Sequence, residues 1–136
     1  MPLSEDRLRV GVDAVDVERL ARLSDDHPGS LGEIFTAREL RYCDGKRRRT
    51  EHLAARFAAK EAVLKAFGTG ISQRMRWTDV EVVNDKNGRP EVTLDGAVAE
   101  FADRHGLTDL DVSLTHTRGL AIAQAVTVWK RPGGDA

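Results

Sequence analysis

The 136-residue chain has little cysteine, few aromatic residues and almost no net charge. Its one cysteine, Cys43, cannot form an internal disulfide, which fits a reducing, cytoplasmic compartment. Aromatic residues make up 5% of the chain and the formal net charge is −1, which argues against a generally basic nucleic-acid binder. No apolar run approaches the ~18 residues of a membrane span, and the first residues are too polar for a signal peptide.

The composition that remains is that of a globular protein. Hydrophobic residues account for 40% of the chain and charged residues for 32%, and there is no repeat or low-complexity segment. The length fits one domain, which we place at residues 1–130. Residues 131–136 read Arg-Pro-Gly-Gly-Asp-Ala and are predicted to be a disordered tail.

Hydrophobic periodicity predicts an α+β fold, with an antiparallel sheet packed against a long central helix. The long helix is predicted from about Glu51 to Phe67, and Gly68 should end it. Thr36 to Glu39 has the form of a capping box. The other predicted helices begin at Asp16 and Asp95, and the predicted strands cover 9–13, 80–83, 89–94, 110–116 and 120–129.

The most informative stretch, Arg56 to Gly70, places one acid among three bases on the long helix. Glu61 offers a hard oxygen ligand for Mg²⁺, and Arg56, Lys60 and Lys65 offer positive charge to phosphates. This pattern suggests a site for a polyphosphate and its metal ion. The alternative is a solvated helix face in which Glu61 and Lys65, four residues apart, form a surface ion pair worth ~0.3–0.5 kcal/mol.

A second acid, Asp13, lies at the predicted end of the first strand, where the chain passes into a helix. A carboxylate at this position can bind a metal together with Glu61. It can equally be a helix N-cap, for which aspartate is well suited. The local sequence does not choose between these two interpretations.

Two further features carry possible binding residues. The basic run Lys46 to Arg49 can be a solvated loop, a nucleic-acid patch or a phosphate clamp, and it lacks the interleaved aromatics that base stacking needs. His116 ends a predicted row of apolar strand residues, so it is either a satisfied strand histidine or a site residue. No cysteine or histidine cluster accompanies it, which argues against zinc.

Taken in order, several segments resemble the holo-acyl-carrier-protein synthase family, the small 4′-phosphopantetheinyl transferases. The resemblance runs from about Val10 to Val128, and the central segment is the most specific. The segments that carry it are Gly11-Val12-Asp13, Val17-Glu18-Arg19, Phe35 to Glu39, Arg56 to Ala62 with Lys65 and Gly68-Thr69-Gly70, and Val112 to Thr117.

The resemblance implies a fold and a reaction. The fold is the 4′-phosphopantetheinyl transferase fold, and the reaction moves 4′-phosphopantetheine from coenzyme A to a serine of an acyl carrier protein. The family uses Mg²⁺, which implies Asp13 and Glu61 as metal ligands and Lys65 as a third catalytic residue. The base that takes the serine proton stays open between a metal-bound water and one of the two carboxylates.

The same resemblance implies which residues bind coenzyme A. Arg47 and Arg48 align with the basic loop over its 3′-phosphate. The other implied contacts, Lys65 among them, lie on the long helix, in the turn after it and at the end of the closing strand motif. They are Arg56, Lys65, Gly68, Ile71, Thr115 and His116.

The family also implies partners. Arg19 and Arg22, on the first helix, are expected to contact the acidic carrier protein, although an ordinary solvated helix face explains them as well. A homotrimer with active sites between subunits is implied too. Ala14 and Leu120 depart from the family pattern and leave open whether the carrier serves fatty acid or polyketide synthesis. The alternatives are a non-catalytic carrier-protein or coenzyme A binding module and, more distantly, a nucleic-acid binder.

Overall fold

A computed structural model describes residues 6–72 and 74–131 of the chain. The predicted tail therefore lies, apart from Arg131, outside the described residues. Two short 3₁₀ turns, Pro28–Ser30 and Trp77–Asp79, join longer elements. The helices and strands are β1 (Arg7–Asp16), α1 (Val17–Asp26), α2 (Leu31–Ile34), α3 (Ala37–Asp44), α4 (Arg49–Phe67), β2 (Val80–Asn84), β3 (Pro90–Leu94), α5 (Gly96–His105), β4 (Leu107–His116) and β5 (Leu120–Trp129).

The predicted α+β architecture is confirmed. Strands β1, β5 and β4 form an antiparallel sheet in that order, and β2 and β3 form a separate antiparallel hairpin. Helix α4 packs across one face of the three-stranded sheet and also contacts β2, α1 and α3. Within the described residues, no helix is long and apolar enough to cross a membrane.

Helix α4 is central because its sequence allows burial on almost every side. Its alanines are strong helix formers and keep the helix thin, so the sheet, the hairpin and α1 can all approach it closely. The helix begins at Arg49, two residues before the predicted start, and ends where predicted. Gly68 has a φ of 84°, and its N–H donates to the carbonyls of Leu64 and Lys65.

Strand β1 touches α4 backbone to backbone at Gly11. A Cβ atom at this position would collide with the carbonyl oxygen of Ala62 and lie 2.7 Å from the nitrogen of Ala66. Only glycine permits this approach. Asp13, two residues further on, points to the same side of the strand as Gly11, so the contact fixes its carboxylate beside α4.

The capping predictions have different outcomes. The capping box is confirmed, because Thr36 Oγ1 accepts from Glu39 N and Glu39 Oε1 accepts from Thr36 N. The N-cap reading of Asp13 is wrong. β1 continues three residues beyond it, since β5 pairs with it as far as Asp16 opposite Leu120. Asp16 is therefore the residue that caps α1, accepting from Glu18 N.

Candidate active site

Two carboxylates and a lysine meet where β1 crosses α4. Lys65 Nζ lies 2.8 Å from Asp13 Oδ1 and donates to the carbonyl of Val12 at 3.1 Å. Glu61, one helical turn before Lys65, shares a hydrogen bond with Asp13. The Asp13 side chain is 12% exposed and that of Lys65 is 55% exposed, so the group opens to solvent on one side.

The electrostatics of this group are those of two acids held together. Burial, followed by the hydrogen bond and the negative charge of Asp13, raises the pKa of Glu61 to about 7, while Lys65 and Arg19 oppose the rise. The bond to Asp13 raises the pKa of Lys65 and keeps it charged. Two carboxylates this close together repel each other, which favours the protonated form of Glu61.

The same group fits a divalent cation. A cation placed between the carboxylates of Asp13 and Glu61 relieves the repulsion between them. Hard oxygen ligands in this number are typical of Mg²⁺, which usually binds one or two carboxylates together with substrate phosphates. Lys65 beside them supplies positive charge for a phosphate.

The structure gives Lys60 a different role from the one predicted. Lys60 is fully buried, and its Nζ pairs with Glu39 at 2.8 Å and donates to the carbonyls of Trp77 and Val80. Burial lowers the pKa of Lys60, and the adjacent Glu39 carboxylate opposes this. All of its donors are used inside the protein, so the prediction that Lys60 neutralises phosphate is wrong.

Arg56 is buried as well, at 2% exposure. One of its terminal nitrogens donates to Asn84 Oδ1 at 2.6 Å, and the guanidinium lies over the ring of Tyr42, 4.4 Å from its centroid. Its Nε atom has no hydrogen-bond partner in the described part of the chain. On α4, Arg56 lies five residues before Glu61, a rise of ~7.5 Å.

A second group of predicted residues forms at the start of α4. Glu51 connects the members of this group, because its Oε1 lies 2.9 Å from His116 Nδ1 and 3.9 Å from Arg48 Nη1. His52 packs edge to face on His116, and burial, then the nearby His116 and Arg56, lowers the pKa of His52. The basic loop and the end of β4 therefore meet, as the coenzyme A assignment requires.

The two groups lie far apart within one chain. From Arg48 to Glu61 the helix rises by ~20 Å, at 1.5 Å per residue. The remaining predicted contacts fall at either end: Gly68 and the 41%-exposed Ile71 follow α4, whereas the exposed Thr115 lies beside His116. The structure thus brings the predicted residues together as two clusters rather than one.

A groove beside the carboxylate pair leads onto α1. Arg19 lines it and interacts electrostatically with Glu61, and apolar side chains of Leu20, Leu23 and Phe57 form its wall. Arg22 is exposed and pairs loosely with Glu18 at 3.7 Å, outside the groove lining.

Sequence reasoning missed two residues that bond the predicted basic and histidine side chains of α4 and β4. Glu51 bonds a histidine 65 positions away, and Asn84 bonds an arginine 28 positions away. Neither contact leaves a pattern in the linear sequence. In the sequence, Glu51 is only an acidic residue in the first turn of α4. The helix dipole favours an acid at that position in any case, so the residue did not stand out.

The α+β fold, the carboxylate pair beside Lys65 and the separate basic loop are together typical of a transferase that handles phosphate groups. The chain belongs to the 4′-phosphopantetheinyl transferase superfamily, whose sequence model matches residues 9–125. The resemblance found in the sequence is thereby confirmed.

Relatives that carry the family's name agree with this assignment. The chain is 44% identical to the holo-acyl-carrier-protein synthase of Geotalea daltonii, over 85% of this chain and 94% of the relative. It is 46% identical to the enzyme of that name from Geobacter sulfurreducens, over 90% and 96%. The coenzyme A complex of the Chronobacterium ammoniagenes synthase superposes with a TM-score of 0.82 at 30% identity, over 92% of this chain and 99% of that one.

Proposed function

We propose that the protein transfers 4′-phosphopantetheine from coenzyme A to a serine hydroxyl of an acyl carrier protein and releases adenosine 3′,5′-bisphosphate. The observation that carries this proposal is the hydrogen-bonded pair of Asp13 and Glu61, with Lys65 beside it, on a chain whose family performs this transfer. The serine oxygen attacks the β-phosphorus of coenzyme A, and the bond to the bridging oxygen breaks. The adenosine bisphosphate leaves with that oxygen.

The residues of the chain divide this chemistry between them. Asp13 and Glu61 are proposed to hold Mg²⁺, which when bound neutralises the pyrophosphate and orients it. Lys65 supplies further positive charge to the phosphates. The serine proton passes to a metal-bound water or to one of the two carboxylates.

Coenzyme A itself suggests why two clusters exist. Its 3′-phosphate and its pyrophosphate are separated by a single ribose, whereas α4 rises by ~20 Å between Arg48 and Glu61 of one chain. We therefore infer that one subunit supplies Asp13 and Glu61 and another supplies Arg47, Arg48 and His116. This supports the expected homotrimer with active sites between subunits.

An exposed apolar sheet face supports association as well. The face of β1 and β5 that points away from α4 carries side chains that are 38–64% exposed, whereas monomeric proteins seldom leave a contiguous patch of this kind uncovered. Five residues form this apolar sheet face: Leu8, Val10, Val12, Leu120 and Ile122. We propose that it is buried between subunits.

The carrier protein is proposed to dock on α1. The groove beside Glu61 combines the charge of Arg19 with an apolar wall formed by Leu20 and Leu23, which suits an acidic, helical partner. A serine delivered along this groove would arrive next to the carboxylate pair. We place the reaction in the cytoplasm, consistent with the buried, unpaired Cys43.

One experiment tests the transfer directly. The protein is incubated with coenzyme A, Mg²⁺ and an apo-acyl carrier protein, and the intact carrier is weighed by mass spectrometry. We expect the carrier to gain the mass of one phosphopantetheine. A carrier that binds the protein but keeps its mass would instead establish the alternative, a non-catalytic carrier-protein or coenzyme A binding module.

A second experiment tests the assembly. Val10→Glu places a charge in the apolar sheet face, and Thr93→Glu places one on an exposed position of β3 as a matched control. Light scattering should give trimer mass for the parent and the control, and a smaller species for Val10→Glu. Loss of transfer in that smaller species is expected, because its two clusters no longer meet.

A further inference from the structure

A cavity of about 330 Å³ lies on the helix-facing side of the sheet, at the end opposite the groove for the carrier. Its floor is formed by the rings of Phe67, Phe101 and Trp129. Phe101 stacks on His105 at 4.0 Å, and Phe67 meets Trp129 edge to face at 5.0 Å. The volume is in the range of small-molecule sites.

The rim of the cavity is strongly basic. Arg7 and Arg9 come from the start of β1, and Lys130 and Arg131 from the chain after β5. No carboxylate lines the cavity among the residues that the structure describes. These four cationic side chains give the rim a net positive charge, which an anionic ligand can neutralise.

The walls are held in place by contacts that need no ligand. Trp129 Nε1 donates to Thr127 Oγ1 at 2.7 Å, so its ring turns an apolar face to the cavity without an unsatisfied donor. Lys130 N donates to the carbonyl of Gly106 at 2.7 Å, which ties the rim to the end of α5. Such fixed walls lower the entropic cost of binding.

We propose that this cavity binds an amphipathic anion, with an apolar body on the aromatic floor and a carboxylate or phosphate head between the arginines. The guanidinium group of arginine can bind a carboxylate or a phosphate through two parallel hydrogen bonds. The cavity is separate from the carboxylate pair, because Arg9 and Asp13 are four residues apart on β1, or ~13 Å. It is also on the opposite face of the sheet from the apolar sheet face.

Arg9 has another possible role, which the test must separate. Its guanidinium lies near Gly68, 3.8 Å from the position of a Cβ there, so it can interact with the negative end of the α4 dipole. A purely structural Arg9 would change stability when removed. A ligand-binding Arg9 would change the affinity for an anion and leave the affinity for an uncharged analogue unaltered.

The test uses Trp129 fluorescence in a Trp77→Phe background, where it is the remaining tryptophan. The protein is titrated with octanoate, octyl phosphate, octanol and inorganic phosphate. We expect saturable changes with the two amphipathic anions and much weaker binding of octanol and of inorganic phosphate. The tighter of the two anions identifies the head group. Octanol that binds as tightly as the anions, or anions that give no saturable change, would overturn the proposal.

Variants locate the binding in the cavity. Arg7→Ala combined with Arg9→Ala should weaken binding of the preferred anion by about tenfold or more, with the octanol titration unchanged. Arg118→Ala, in the exposed turn between β4 and β5, is the matched control and should bind like the parent. Thermal unfolding checks that the double variant is folded. Parent-like affinity in the folded double variant would rule the site out.

A last titration separates this cavity from the transfer site. Saturating adenosine 3′,5′-bisphosphate should leave the affinity for the preferred anion unchanged. Displacement would show that the two ligands share one site, contrary to the proposal. Because these measurements need neither coenzyme A turnover nor a carrier protein, their result does not depend on the transferase activity.

Discussion

The backbone of Gly11 lies directly against that of Ala62, so that strand β1 and helix α4 meet without a side chain between them. This contact brings Asp13 to the helix turn that carries Glu61. In the sequence, the Gly-Val-Asp element is a weak motif. In the folded chain, it determines the distance between the two acids of the site.

Gly11→Ala should therefore damage both stability and activity. The added methyl group must push β1 away from α4, and overpacking of this kind costs ~1–3 kcal/mol. A displacement of ~1 Å at Asp13 should lower the transfer rate by ~10²-fold. Urea unfolding and the carrier mass assay measure the two effects.

The control for this change is Gly29→Ala, where an added Cβ has nothing within 4 Å. It should leave the transfer rate near that of the parent. If Gly11→Ala behaves like Gly29→Ala, the backbone contact does not position the site.

The carboxylate pair gives a second prediction. Asp13→Asn and Glu61→Gln keep the shape of the side chains but remove the charges proposed to bind Mg²⁺, so each should nearly abolish transfer while the protein remains folded. The measurement is the transfer rate over a range of Mg²⁺ concentrations, with circular dichroism to check the fold. Asp16→Asn, on the same strand, keeps the α1 cap and should stay active. Normal turnover at low Mg²⁺ in either variant would remove that residue from the site.

Much of the fold follows from local rules that act within a few residues. The capping box at Thr36 and the glycine end of α4 depend only on neighbouring residues, and each occurs where it was predicted. The choice of Asp16 over Asp13 as the α1 cap depends instead on how far β5 pairs with β1. The partner of that pairing, Leu120, is more than 100 positions away.

The candidate site was harder to predict, because the sequence shows which residues are charged but not which of them are buried. Lys60 and Lys65 are both lysines on one helix, yet one is fully buried on Glu39 and the other is more than half exposed. Their difference depends on which face of α4 meets the hairpin. The family resemblance implied Lys65 as a catalytic residue, and Lys65 is the lysine that lies beside Asp13, whereas the pattern of charges alone did not separate the two.

The basic loop gives a third prediction. Changing Arg47 and Arg48 together to Ala should weaken binding of coenzyme A and leave dephospho-coenzyme A nearly unaffected, because the loop is proposed to contact the 3′-phosphate. Both side chains are exposed, so the fold should not change. Calorimetric titration of the two ligands measures the effect. Equal losses for both would mean that these arginines do not read that phosphate.

The free thiol gives a fourth prediction, on stability. Burial raises the pKa of Cys43 from 9.0 to about 11, with nearby Arg56 opposing the rise and Glu39 adding to it. A raised pKa means that the folded state favours the protonated thiol. The contribution of this thiol to the free energy of unfolding is fully present below pH 9. It is lost as the pH rises through 11, by ~3 kcal/mol at most.

The check compares the parent with Cys43→Ala by urea unfolding under reducing conditions between pH 8 and pH 11. The variant should lose less stability over this range than the parent, since it has no thiol to ionise. Parallel pH profiles for the two proteins would show that the buried thiol does not contribute to the alkaline loss.

Carrier docking gives the last prediction, and the structure separates two residues that the sequence grouped together. Arg19 lines the groove beside Glu61, whereas Arg22 lies outside it and pairs with Glu18. Arg19→Glu should therefore raise the Michaelis constant for the carrier more than Arg22→Glu does. The salt dependence of that constant should also flatten, because attraction between exposed charges is screened over ~10 Å at 0.1 M salt and ~3 Å at 1 M. The constant for coenzyme A should stay near that of the parent.

Steady-state kinetics of both single variants at two ionic strengths decide the matter, and Arg22→Glu serves as the matched control on the same helix. Equal effects of the two changes would indicate a diffuse electrostatic attraction to α1 rather than binding in the groove. No effect of either change would leave both arginines as ordinary solvated residues. A large effect of Arg19→Glu alone would place the carrier serine at the end of the groove where Asp13 and Glu61 meet, because Arg19 and Glu61 line the same groove.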